Sequence, residues 1–152
     1  MLEPLPDEHF VRESLRQAQK ASAAGEVPVG AVIVREGKII ARAHNQVELL
    51  KDATAHAEML ALREAAQTIG NYRVEDATVY TTLEPCVMCA GALVAARVKR
   101  LVFGTRDLRF GGVRSKFRIA DSDLLNHQVD IVEGVLAVEC VELLQNFFDA
   151  RR

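Results

Sequence analysis

The stretches TAHAEML (54–60) and TLEPCVMC (82–89) hold the residues of this chain best suited to chemistry. Cys86 and Cys89 stand three apart behind Pro85. At a helix start, such a pair puts both sulfurs on one face, where the helix N-terminus favours thiolate. Three chemistries compete for it. A redox pair explains nothing else in the chain. A structural zinc site usually takes four protein ligands. The third cysteine, Cys140, falls on an apolar helical face and reads as core. A catalytic zinc takes three protein ligands and leaves a fourth position for water. His56, 30 residues ahead of Cys86, supplies the third. Glu58, two residues on, is then a candidate proton carrier. Positions i and i+2 do not share a helical face. His56 must therefore lie at the very first turn, where the backbone can aim both side chains at one ion. Taken singly, His56 reads as a cap or surface residue and Glu58 as part of a solvated face. The joint pattern favours the metal.

Those residues need elements to hold them. Residues 7–24 read as a helix, with Asp7 as cap, Phe10, Val11, Leu15 and Ala18 at helical spacing, and Gly25 at its end. Residues 29–43 read as two strands around Glu36-Gly37, a hairpin. Asp52 or Thr54 can cap a helix over 55–69. Residues 77–83 predict a strand, and Pro85 suits the first turn of a helix to about Arg97. Residues 100–104 predict another strand, followed by a long basic loop, and 128–132 a last one. From Leu136 a helix carries Leu136, Cys140, Leu143, Leu144 and Phe147 on one face. Strands alternating with helices predict an α/β fold, a three-layer α/β/α sandwich. The opening hairpin makes the sheet mixed. No repeat, low-complexity run or linker divides the chain, so one domain is expected over 1–152.

With 152 residues, 49% hydrophobic and 26% charged, the composition is globular. The opening MLEPLPDEHF has neither a basic start nor an apolar run, so no secretory leader is expected there. No stretch approaches the roughly 20 apolar residues of a membrane span. An odd count of three cysteines argues against a disulfide framework. The expectation is a soluble, cytoplasmic protein. Its net charge of −2 hides a segregation. Between Arg97 and Arg118 there are eight basic residues and one acid, net +7, leaving 11 basic against 20 acidic residues elsewhere, net −9. A basic surface can be plain solvation. It can also neutralise nucleic-acid phosphates, with Arg106, Arg109 and Arg114 as candidates.

His56-x-Glu58 with Pro85-Cys86-x-x-Cys89 resembles the zinc-dependent nucleobase deaminases. EVPVGAVIV (26–34), HN (44–45), TAHAEMLALREA (54–65), TTLEPCVMCAGAL (81–93), RLVFGTRD (100–107), NH (126–127), EGVLAVEC (133–140) and the closing FF and RR narrow it further. Together they resemble the bacterial tRNA-specific adenosine deaminases over almost the whole chain. The resemblance implies a five-stranded mixed sheet of the cytidine deaminase-like kind, a homodimer, and one zinc per subunit on His56, Cys86 and Cys89. It implies Glu58 as proton shuttle and no organic cofactor. It puts Asn45 and the Ala57 backbone beside the base, and Val27 and Pro28 in the pocket wall. It puts Asp107, Asn126, Phe147 and Arg151 near the flanking nucleotides. The reaction implied is conversion of adenosine to inosine at the wobble position of a tRNA anticodon stem-loop, with an arginine tRNA as the expected substrate. After Asp107 the sequence LRFGGVRS is bulkier than the family's small, glycine-rich loop. Two alternatives stay open. One is a free-base guanine or cytosine deaminase, which has no need of the basic loop. The other is a zinc-stabilised RNA-binding module without catalysis, its metal closed by His9, His44, His127 or Cys140. Such a module has no use for Glu58.

Overall fold

A computed structural model of the chain describes residues 5–152; the reading of the first four residues as free of a leader lies outside the described residues. The elements run α1 (Asp7–Ala23), β1 (Gly30–Arg35), β2 (Lys38–His44), α2 (Val47–Leu50), α3 (Ala57–Ile69), β3 (Ala77–Leu83), α4 (Val87–Ala95), β4 (Arg100–Thr105), β5 (Asp130–Glu133) and α5 (Ala137–Asp149). Glu36 and Gly37 both take positive φ, 54° and 76°, between paired Arg35 and Lys38. That is the two-residue turn whose twist matches a hairpin.

The sheet has five strands in the order β2-β1-β3-β4-β5. β1 is antiparallel to β2 and β3, while β3–β4 and β4–β5 are parallel, so the sheet is mixed. Period-two alternation sorts its residues. Ala31, Ile33, Val79, Leu101 and Phe103 pack with Ala61 and Leu62 of α3 and Leu93 of α4. Val32, Val34, Tyr80 and Val102 pack instead with Phe10, Val11 and Leu15 of α1 and Cys140 of α5. The result is helix, sheet, helix. Each fully buried Val, Leu or Ile in these layers contributes about 1.5–3 kcal/mol. Among the described residues, no helix is long and apolar enough to cross a membrane.

Three local expectations are corrected. Asp7 does not cap α1. Pro6 holds the cap position, and the Asp7 carboxylate instead accepts from the Tyr80 hydroxyl (2.8 Å) and from Arg100 (2.8 and 3.2 Å). Neither Asp52 nor Thr54 caps α3; Asp52 accepts from the Thr54 amide and hydroxyl in a preceding turn, and His56 holds the cap position. Pro85 precedes the helix it was expected to enter, because Cys86 is the cap residue of α4.

Strand direction decides where function can collect. The C-terminal ends of β2, β3 and β4 and the N-terminal end of β1 lie at one edge, since Gly30 pairs with His44 and Leu83 with Thr105. In open α/β sheets, ligands bind beyond the carboxyl ends of parallel strands.

Candidate active site

Both helices of one layer begin at that edge. His56 is the cap residue of α3 and Cys86 that of α4, with Cys89 one turn on. An extended residue at each cap (φ −72° and −71°) turns its side chain off the helical face, which lets His56 and Glu58 point to one place despite the i, i+2 spacing. His56 Nδ1 lies 3.6 Å from Cys86 Sγ and 3.5 Å from Cys89 Sγ. The three ligand atoms fall within 4.8 Å of one another. Zinc bonds of about 2.0–2.1 Å to nitrogen and 2.3 Å to sulfur subtend about 3.5 Å at a tetrahedral angle. One imidazole and two thiols at that spacing fit a zinc ion in donor type and distance.

The Cys86 thiol is lowered to about 4 by its hydrogen bond with Cys89 and by His56. The Cys89 thiol is pushed up by Cys86 and by burial. His56 is raised by its hydrogen bond with Cys86. Glu58 is 3% exposed, and burial raises its pKa. Its Oε1 has no hydrogen-bond partner among the described residues. A buried carboxylate oxygen without a partner costs stability, and such atoms mark functional sites.

The cluster opens into a cleft of about 840 Å³. The cleft is lined by Val27, Val29, Asn45, Ala57, Glu58 and Cys86 on one side and by Arg106–Phe110, Leu144 and Phe148 on the other. Asn45 is buried; its Nδ2 donates to the Val27 carbonyl (3.2 Å) and its Oδ1 accepts from the Val47 amide (3.4 Å).

A family model described as MafB19-like deaminase matches residues 6–152. The tRNA-specific adenosine deaminase of Haemophilus influenzae is 48% identical over 147 residues, covering 96% of this chain and 85% of its own. That of Aquifex aeolicus is 49% identical over 145 residues, covering 95% of each. The chain belongs to the tRNA-specific adenosine deaminase family. A family structure, solved in a study of A-to-I editing by tRNA:A34 deaminases at the wobble position of transfer RNA, superposes with a TM-score of 0.86. It is 40% identical and covers 90% of this chain and 99% of its own.

Within this family fold, several expected residues fall elsewhere. Pro28 is buried and does not line the cleft; Val29 does, because the chain turns once more before β1. Phe147 is 5% exposed with the Arg151 guanidinium 3.5 Å over its ring, so neither is presented to the cleft. Phe148, 48% exposed, lines it instead. Asn126 is exposed outside the cleft and accepts from Arg97 (2.8 Å). Three of the eight basic residues in the stretch are matched by acids elsewhere in the chain. Arg100 pairs with Asp7, Arg106 with Glu133 (2.7 Å), and Arg114, only 16% exposed, with Asp121 (2.9 Å). Arg114 is therefore not a surface cation. Arg109 is exposed and forms no ion pair among the described residues.

Sequence reasoning missed two buried carboxylates. Glu26 accepts from the Glu48 and Leu49 amides (3.0 and 2.8 Å) and so fixes the start of α2. Glu84 is 2% exposed and accepts from the amides of Asp107, Val113, Arg114 and Ser115 and from the Ser115 hydroxyl. Burial pushes its pKa up, but the Ser115 and backbone hydrogen bonds outweigh that and hold it low. Gly111 leaves room for this carboxylate, since a Cβ there would overlap it. The signal was an acid beside Pro85 and a distant Gly111-Gly112 pair, too far apart in the chain to connect without the fold.

Proposed function

We propose that the chain is a single deaminase domain that converts adenosine to inosine at the wobble position of a tRNA anticodon, releasing ammonia. An arginine tRNA is the expected substrate, and a cytoplasmic location accompanies it. The observation that carries the chemistry is a buried carboxylate with an unpartnered oxygen beside one imidazole and two thiols at zinc-ligand spacing. His56, Cys86 and Cys89 hold one zinc. When bound, the ion supplies Lewis-acid activation of a water. Glu58 takes a proton from the attacking water and gives it to the ring nitrogen; it then takes the remaining proton of the hydroxyl now on the carbon and gives it to the amine, which leaves as ammonia as the C=O forms. Its raised pKa suits a group that both accepts and gives protons. Asn45 and the Ala57 backbone hold the edge of the base, with Val27 and Val29 as apolar walls. Phe148, in place of Phe147, meets the flanking nucleotides.

A base inside a duplex cannot reach the floor of such a cleft, so an unpaired or flipped base is required. An anticodon loop presents one without most of the unpairing cost. The chain acts as a homodimer on this reading. The outward side of α4 carries Val87, Met88, Gly91, Ala92 and Ala95, exposed or half-buried and all small or apolar. Cys89 and Ala90 face the chain's own core and are not part of that surface.

The test compares an arginine tRNA with A at the wobble position, its anticodon stem-loop, free adenosine, guanine and cytidine, with zinc assayed on the same protein. Inosine in the RNA substrates and about one zinc per chain are expected. Deamination of guanine or cytidine without inosine in RNA overturns the substrate assignment.

A further inference from the structure

Phe110 and Leu108 are large apolar residues that the fold leaves in solvent, 60% and 73% exposed. Both line the cleft above Glu58. The backbone beneath them is pinned. Asp107 Oδ1 accepts from the amides of Arg109 and Phe110, each at 3.1 Å, and the Gly111 amide donates to the Asp107 carbonyl at 2.9 Å. Glu84 holds the loop on both sides of this turn, at Asp107 and at Val113–Ser115. The Gly112 amide ties the loop to the Pro85 carbonyl (2.8 Å), directly before the ligand Cys86. The aromatic ring is thus displayed on a rigid support that is hydrogen-bonded to the metal-ligand segment.

The Arg109 guanidinium lies over the Phe110 ring, 5.2 Å from its centroid. Of the two arginines that line the cleft, Arg106 is held in an ion pair with Glu133, so Arg109 is the cation this rim offers. A ring with one face under a cation leaves the other for stacking. A nucleotide offers a flat base for the ring and a phosphate for the guanidinium.

We propose that Phe110, backed by Arg109, is a stacking subsite for the unpaired nucleobase adjoining the target adenosine in the RNA. The subsite rests on the tRNA reading above. A nucleobase suits it better than a second copy of the chain. The ring stands at the mouth of the catalytic cleft beside a cation without an ion pair, whereas the small apolar face available to a second copy lies on α4.

The test uses full-length, zinc-loaded protein carrying Glu58→Ala, so that binding is read apart from turnover. Stem-loop affinity is measured by fluorescence anisotropy with Phe110 intact, Phe110→Ala and Phe110→Trp. The stem-loops carry either all bases or an abasic nucleotide 5′ or 3′ of the target. Phe110→Ala should weaken the intact stem-loop about 5- to 150-fold, the loss expected for one base–aromatic stack. Phe110→Trp should retain affinity. An abasic nucleotide at one of the two flanking positions should weaken binding to the intact ring and abolish the difference made by Phe110→Ala. Unaltered affinity of Phe110→Ala overturns the subsite, as does a loss that persists in full with both abasic stem-loops. Binding of no stem-loop also overturns it, as does a drop from dimer to monomer mass in Phe110→Ala that accounts for the loss. If Glu58-intact protein forms no inosine while the coupling holds, the reaction reading fails and the subsite stands.

Discussion

Glu58 sits where a carboxylate gains least from its surroundings. It is buried, one oxygen has no partner among the described residues, and burial raises its pKa. A residue kept only for stability would have found donors for both oxygens, as Glu84 and Glu26 did. On the proposed chemistry, Glu58→Ala keeps the zinc content and the circular dichroism spectrum of the parent. Its turnover falls at least about 10²–10⁴-fold, the ordinary worth of one acid–base catalyst, and more where one residue serves several transfers. Retention of a tenth of the parent rate removes Glu58 from the role. His56 and the two cysteines differ in kind, because their loss should take the metal with it.

Two elements are held by carboxylates that reach across the chain. Glu84 joins the end of β3 to the loop between β4 and β5, and through Pro85 and Cys86 the loop shares its footing with the metal ligands. Glu84→Gln turns an amide group toward backbone donors that need an acceptor. The expected cost is about 1–3 kcal/mol, with faster amide exchange at Val113–Ser115 than in the strands. Exchange at the parent rate there would show that the loop holds its shape without the carboxylate. Asp7 plays a similar part for α1. Arg100, together with the Tyr80 hydroxyl, holds the Asp7 pKa below its ordinary value, although burial opposes them. A depressed folded pKa adds stability above the unfolded value and loses it as pH falls through the folded one. The parent should therefore melt above Asp7→Asn at neutral pH, with the gap closing below about pH 4. A gap independent of pH would assign the difference to packing.

At the scale of the molecule, charge and shape assign different surfaces to different partners. The helix α4 presents a small apolar face, and a Cβ at Gly91 would meet nothing within 4 Å. Gly91→Glu is therefore compatible with the folded chain and removes a costly glycine from a helix. It should yield a stable monomer by light scattering where the parent is a dimer. A dimer of unaltered mass would locate the interface elsewhere. Within the net +7 segment, Arg100, Arg106 and Arg114 are matched by Asp7, Glu133 and Asp121 and are not available to RNA in the way Arg109 is. Arg109→Glu should lower the log–log salt slope of RNA binding by about 0.7 for each phosphate that is no longer neutralised. Arg114→Glu should chiefly destabilise the fold, by stranding Asp121 beside a like charge. Equal slope changes from both would return Arg114 to the RNA surface.

The metal-ligand pattern, the candidate proton carrier and most strands were legible in the sequence because they are local. His56 and Glu58 lie within three residues of each other, Cys86 and Cys89 within one helical turn, and Glu36-Gly37 is a turn that two residues define by themselves. Which helix layer Ala31 and Ile33, or Val32 and Val34, would face was not legible there, because that run is apolar throughout and both faces of the sheet are covered. Tertiary structure decided which polar groups are already spoken for. Nothing near Arg114 in the chain marks it as paired, until Asp121 folds back to it across the loop. Phe147 and Phe148 are adjacent and chemically identical, yet the twist of α5 buries one under Arg151 and turns the other to the cleft. Asp7 has the composition of a helix cap, but Arg100 from a strand 93 residues away claims its oxygens. Local propensity is set by a residue and its neighbours. Burial and pairing are set by whatever the fold brings opposite, and that partner is not written near the residue it satisfies.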